Sequence, residues 1–219
     1  MKNLRLAIIG TVCLLASMAG SAAELRAIVK EQHGKAVADA VVLATPVDPK
    51  NLLHAKPPLN AVDQVDKQFV PYVKVIYAGA TVKFPNKDNI RHQVYSFSPA
   101  KKFELPLYAG TEAAPVSFDK PGVVVLGCNI HDWMIGYIYV ADTPFFTKTE
   151  ALGMAALDEL PAGEYLVRIW HPSMDQTEQA TIKRVTLTGQ TPVTLEWQLT
   201  VKPTLRIPRV SGDPGSGYP

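Results

Sequence analysis

Cysteine is nearly absent from this chain, with two in 219 residues. Cys13 falls within an N-terminal stretch that reads as an export leader, so Cys128 is the only thiol the mature chain keeps, and an internal disulfide is excluded. An excess of charge of one sign is missing too. The leader removes Lys2 and Arg5, which brings the 22 basic residues to 20, level with the 20 acidic ones. With that balance, nothing in the sequence suggests a nucleic-acid partner. No apolar run after Leu15 is long enough to span a bilayer, so no stable membrane insertion is expected.

What is present begins with the leader itself, residues 1–23. Lys2 and Arg5 supply a positive start, Leu6 to Leu15 an apolar stretch, and Ser21-Ala22-Ala23 a small-residue cleavage site. The expected product is exported, in a periplasmic setting, and starts near Glu24. Removing 23 of 219 residues leaves 196, enough for one good core or two small ones. Proline is plentiful, 18 in all and none in the leader, which argues for strands and turns over long helices.

Strict alternation runs through Val193, Leu195, Trp197, Leu199 and Val201, with Thr194, Glu196, Gln198 and Thr200 facing the other way, as in a half-buried strand. The same period holds for Tyr165, Val167 and Ile169 after the turn LPAG, and for Val73, Val75 and Tyr77 before AGA. Val123 to Leu126 form an unbroken apolar run after Pro121-Gly122, the pattern of a strand buried on both faces. Thr149 to Glu159 reads as a short helix or an irregular connection. The fold class is all-β, with a long loop over residues 48 to 63 and a flexible Pro-, Gly- and Ser-rich tail over 203–219.

An exported chain with one unpaired thiol needs another partner for it. In CNIHDWM, residues 128 to 134, Cys128 stands three residues before His131 and six before Met134. A thiolate, an imidazole and a thioether are soft and borderline donors, the set that suits copper. Two imidazoles and a thiolate in a plane with a weak axial methionine make a blue-copper electron-transfer site, which calls for a second histidine. His92 in RHQVYSF supplies it, from a neighbouring strand that follows the polar turn NKDN. Zinc is also accepted by a thiolate and two imidazoles.

These residues carry a resemblance. FVPYVKVIYAGATVKFPNKD (69 to 88), His92, the turn FDKPG (118 to 122) and GCNIHDWMIGYIYV (127 to 140) together resemble a small cupredoxin of the plastocyanin and amicyanin type, a Greek-key β-sandwich. The Cys-x2-His-x2-Met spacing is similar to the short amicyanin-like loop. The whole mature chain is similar to exported plastocyanin-like proteins labelled methylamine utilisation proteins, a label that does not establish a role in methylamine metabolism. The resemblance implies one copper ion held by His92, Cys128, His131 and Met134, with a redox protein as donor and another as acceptor. One position departs from the pattern: Gln93 stands where cupredoxins carry an asparagine whose side chain ties the two ligand loops together, which leaves that tie open.

Around the ligands, Trp133 either joins an apolar docking patch about His131 or packs against its own loop, and Arg91 and Asp132 read as solvated charges. His171 in WHP reads as a turn histidine, and His33 and His54 have no metal-binding company. The flanks, HGKAVADAVVLATPV (33 to 47) and LPAGEYLVRIWHP (160 to 172), resemble parts of a carboxypeptidase-regulatory-like β-sandwich. The expected organisation places residues 24–63 and 146–202 in one discontinuous sandwich around a cupredoxin unit at 64–145. One extended cupredoxin with extra strands is the other arrangement. Three functions follow from the residues: a one-electron carrier, a copper storage or delivery module, and a structural β-sandwich protein with an inactive copper site. No catalysis is expected, because five histidines are too few and too scattered for a second copper centre.

Overall fold

The computed structural model describes residues 22–52, 57–109 and 113–203. The leader up to Ser21, with Cys13, and the tail beyond Pro203 lie outside the described residues, as does His54. Among the described residues there are seventeen strands and two short 3-10 segments, Pro49–Asn51 and Glu178–Thr181. The chain is all-β, and no helix of the described residues is long and apolar enough to cross a membrane.

The chain opens with β1 (Ala23–Glu31) and β2 (Val41–Pro46). Its middle holds β3 (Leu59–Ala61), β4 (Asp63–Val65), β5 (Gln68–Val70), β6 (Val73–Tyr77), β7 (Ala80–Lys83), β8 (Tyr95–Ser98), β9 (Lys101–Glu104), β10 (Val116–Phe118), β11 (Gly122–Leu126) and β12 (Gly136–Ala141). It closes with β13 (Phe146–Lys148), β14 (Met154–Leu160), β15 (Gly163–Trp170), β16 (Lys183–Leu187) and β17 (Val193–Leu199).

The first and last strands pair with one another. One sheet runs β14-β1-β17 and a second β13-β2-β15-β16. Ile28 lies opposite Met154 on one side and Glu196 on the other, and Val42 lies opposite Ile169. The alternating side chains of the two sheets meet in one core, where Leu25, Val29, Val42, Tyr165, Val167 and Ile169 are buried together with Trp197. Each large apolar side chain removed from water in this way stabilises the fold by about 1.5–3 kcal/mol.

The middle strands build a separate core. Sheets β10-β7-β3 and β11-β12-β6 enclose Phe69, Phe84, Phe118, Val124, Leu126 and Ile138, and the same cluster contains Cys128 and Met134. β3, although it precedes residue 64, belongs here: it runs parallel to β7, with Asn60 opposite Val82. β12 faces two ways. Ile138 and Val140 point into the middle core, while Tyr139 and Ala141 point into a third cluster with Val41, Leu43, Val73 and Trp170. That third cluster joins the two halves of the molecule. Arg168 adds a polar link beside it, donating to Asp142 at 2.6 Å, Thr45 at 2.9 Å and Glu178 at 3.2 Å.

Two local expectations are corrected. Thr149 to Glu159 is neither helical nor wholly irregular: after a turn at Glu150–Gly153 the chain forms the edge strand β14 against β1. Its alternation is broken by a bulge: Leu157 and Leu160 are both buried although three residues apart, Glu159 between them has a φ of 58°, and the register against β1 shifts there. Val123 to Leu126 is not buried on both faces either. Val124 and Leu126 are in the core and Val123 reaches the junction cluster, but Val125 is 42% exposed.

Candidate metal centre

His92, Cys128, His131 and Met134 converge at one place in the middle core. His92 is set by backbone pairing with Tyr108, each N–H donating to the other carbonyl at 3.0 Å. Cys128 follows β11, and the residue before it, Gly127, exchanges backbone hydrogen bonds with Tyr95 at 3.0 and 3.1 Å. Tyr95 begins β8, three residues after His92, so a β-ladder ties one ligand segment to the other. The loop that carries the other two ligands is closed by Met134 N–H donating to His131 O at 2.9 Å.

Cys128 Sγ lies 3.9 Å from His92 Nδ1 and 3.9 Å from His131 Nδ1. All three ligand atoms fall within 4.8 Å of one another, and no other group of three or more His, Cys, Asp or Glu does so among the described residues. The four side chains are almost wholly removed from water, with exposures of 0% for His92, 3% for Cys128, 8% for His131 and 1% for Met134. An ion held at about 2.0 Å by nitrogen and about 2.3 Å by sulfur in a trigonal plane leaves those atoms about 3.7 Å apart. The spacing therefore fits an ion between them, and two imidazoles, a thiol and a thioether are the donor set of a type 1 copper site.

The electrostatics favour the ligand form of the thiol. Burial pushes the Cys128 thiol up, but the hydrogen bond with His92 and the backbone N–H groups of Gln93, Ile130 and His131 outweigh it and leave the thiol below its ordinary value. A thiolate is the metal-binding form. Burial also works against a charged His92, and its contacts with Cys128 and Asp88 reverse the sign and raise it. For Asp88, burial is overcome by N–H donation from Lys67, the imidazole of His92 and N–H donation from Asp66, so the carboxyl sits below its usual range.

Gln93 does not tie the ligand loops through its side chain. Its amide donates outward to Glu104 Oε1 at 2.6 Å, and its backbone N–H is what reaches Cys128. The ladder between Tyr95 and Gly127 supplies the tie. Trp133 is half-buried with its ring 5.2 Å from that of His131, while Arg91 and Asp132 are exposed. His33 is exposed, and His171 lies in a turn where its Nδ1 accepts from Ser173 N–H at 3.2 Å.

Sequence reasoning missed Asp88, whose Oδ2 is 2.7 Å from His92 Nε2. A signal was available, since Asp88 precedes His92 by four residues in the turn NKDN and metal-binding histidines commonly give their second nitrogen to a carboxylate. The Tyr95–Gly127 pairing had no comparable local signal.

No protein-family model and no curated protein matches the chain. Solved structures similar to it include the copper-containing nitrite reductase NirK from Thermus scotoductus SA-01, at 28% identity over 45% of this chain with a TM-score of 0.37. A purple cupredoxin from Nitrosopumilus maritimus matches at 21% identity over 38% of this chain and 100% of its own, with a TM-score of 0.34. Amicyanin in a reduced state matches at 19% identity over 45% of this chain and 98% of its own, with a TM-score of 0.35. The chain spans 27% of the length of the nitrite reductase. At these TM-scores the likenesses carry no weight of their own, and the centre stands on its distances.

Proposed function

We propose that this chain is an exported, periplasmic type 1 copper protein that carries single electrons between a redox protein donor and a redox protein acceptor. His92, Cys128, His131 and Met134 would hold the ion. A copper ion bound there supplies the one-electron couple. The chain's own part is to keep four donors in a single arrangement, so that little has to move when an electron arrives or leaves. It makes no bond in a substrate.

The observation that carries this proposal is the pair of 3.9 Å separations from Cys128 Sγ to the two imidazole nitrogens. Burial of all four donors supports a carrier over a delivery module, because a module that hands its metal on needs ligands within reach of the acceptor. The flanking strands, 24–63 and 146–202, are proposed to form one sandwich that holds the unit at 64–145; the pairing of β2 with β15 and of β1 with β17 supports this.

The test is visible absorption and metal analysis of the full chain purified from the exported fraction. Strong visible colour in the oxidised form, lost in Cys128→Ser, together with reversible voltammetry at a fixed midpoint, is the expected result. Colourless wild-type protein after Cu(II) loading would overturn the proposal, and rapid copper transfer to an acceptor without reversible voltammetry would favour storage or delivery.

A further inference from the structure

We propose that Asp88 is a positioning residue for the metal centre: its carboxylate fixes which nitrogen of His92 faces the metal and places a negative charge behind that ligand. The effect on the metal rests on the copper function proposed above, while the effect on His92 does not.

Three donors converge on this carboxylate. His92 Nε2 lies 2.7 Å from Oδ2, Lys67 N–H donates to Oδ2 at 2.9 Å, and Asp66 N–H donates to Oδ1 at 2.7 Å. Asp66 and Lys67 form the two-residue turn of the β4–β5 hairpin, with φ of 51° and 59°. Successive left-handed residues aim consecutive N–H groups at one anion. Asp88 is itself anchored, because its N–H donates to Asn86 Oδ1 at 3.0 Å. Asn86 in turn donates to Ile90 O and Tyr108 O, both at 2.9 Å. The carboxylate is therefore held from its own loop and from a hairpin that contributes no ligand.

The chemistry follows from donor counting. An ionised carboxylate only accepts, so it satisfies all three donors at once and requires His92 to carry a proton on Nε2. Nδ1 is then the nitrogen directed at Cys128, 3.9 Å from Sγ. A carboxylate behind an imidazole also makes it a more basic ligand, which favours the more highly charged oxidised metal. Asparagine has the same shape but offers one acceptor and one donor, so Asp88→Asn must point an N–H2 group at one of the three N–H groups already there.

The experiment compares the full-length wild type with Asp88→Asn. In the metal-free wild type, nitrogen-15 NMR is expected to show His92 protonated on Nε2, with that proton protected from exchange with water. The protection is lost in Asp88→Asn. After copper loading the variant shows a more positive midpoint potential and a copper affinity about 10- to 100-fold weaker. Asp88→Glu, which restores the charge on a longer arm, recovers part of the potential shift.

A metal-free wild type whose His92 carries its proton on Nδ1 alone would overturn the proposal whether or not the protein turns blue. So would an Asp88→Asn variant that folds and leaves exchange protection, potential and affinity unchanged. The wild-type spectrum decides the matter even where the variant does not fold. Colourless protein with a protected Nε2 proton sinks the copper function and leaves the Asp88–His92 pairing standing.

Discussion

The phenol ring of Tyr95 lies against the α-carbon of Gly127: a β-carbon added there would sit 2.7 Å from Tyr95 Cζ and 2.8 Å from its hydroxyl oxygen. Glycine is required by that close approach, one residue before the ligand thiol. Gly127→Ala is expected to cost about 1–3 kcal/mol, because the ring or the strand end must move. Chemical denaturation measures this. The loss is smaller in a Tyr95→Ala background, and a double-mutant cycle showing additive effects would contradict the contact.

Met134 is the proposed fourth donor, and its replacement leaves His92, Cys128 and His131 in place. Met134→Leu is expected to keep the visible colour and to raise the midpoint potential, because the oxidised ion loses more than the reduced one when a donor is withdrawn. Met134→Gln, with a harder oxygen, lowers it. Voltammetry on the two variants reads opposite signs, and shifts in the same direction would show that Met134 is not a donor to the metal.

Arg168 is 16% exposed and links the two halves of the molecule through Asp142, Thr45 and Glu178, the last of which also accepts from Tyr139 Oη at 2.6 Å. Arg168→Leu leaves the partly buried Glu178 and the exposed Asp142 without their cation. A loss of about 1–3 kcal/mol is expected in denaturant melts, with the visible spectrum unaltered because none of these groups touches the metal ligands.

His171 gives a pH dependence with a definite sign. Burial lowers its pKa, against a smaller upward pull from Asp39 and the backbone of Ala38; Asp39 is itself paired with Lys148 at 2.6 Å. In the unfolded chain the group titrates near ~6.5. The folded state binds the proton less readily, so this contribution is fully present above ~6.5 and is lost as pH falls toward the depressed folded value. The neutral ring is also what accepts from Ser173 N–H. His171→Asn is expected to flatten the slope of stability against pH in that window, and an unchanged slope would refute the assignment.

Lys183 and Gln176 guard the open edge of β17. The Lys183 ammonium donates to Glu196 O at 2.5 Å, and Gln176 accepts from Thr200 N–H at 2.9 Å while donating to Gln198 O at 3.4 Å. An uncapped strand edge templates pairing with another chain. The double variant Lys183→Ala/Gln176→Ala is expected to stay folded but to associate at high concentration, and light scattering that matches wild type would argue against the guard.

How much of this was legible in the residues depended on sequence distance. Cys128, His131 and Met134 could be found because all three ligands share one loop and their chemistry is visible in the letters. His92 could be found because the donor set was one imidazole short. Asp88 sat in plain view but needed the question of what holds the second nitrogen. The Tyr95–Gly127 contact and the Arg168 link join segments far apart in the chain, and no local pattern marks them. β14 was misread because a bulge sets its buried leucines, Leu157 and Leu160, three residues apart instead of two, and Val125 because an apolar run does not say which of its residues a neighbour covers.

Tyr139 and Ala141 share their side of β12 with Val41, Leu43 and Trp170, residues contributed by the two ends of the chain. The ligand-bearing segment is for that reason not portable. A fragment cut at residues 64 and 145 would keep all four donors and still open a greasy party wall to solvent, so the metal's address in this protein depends on strands that never come near it.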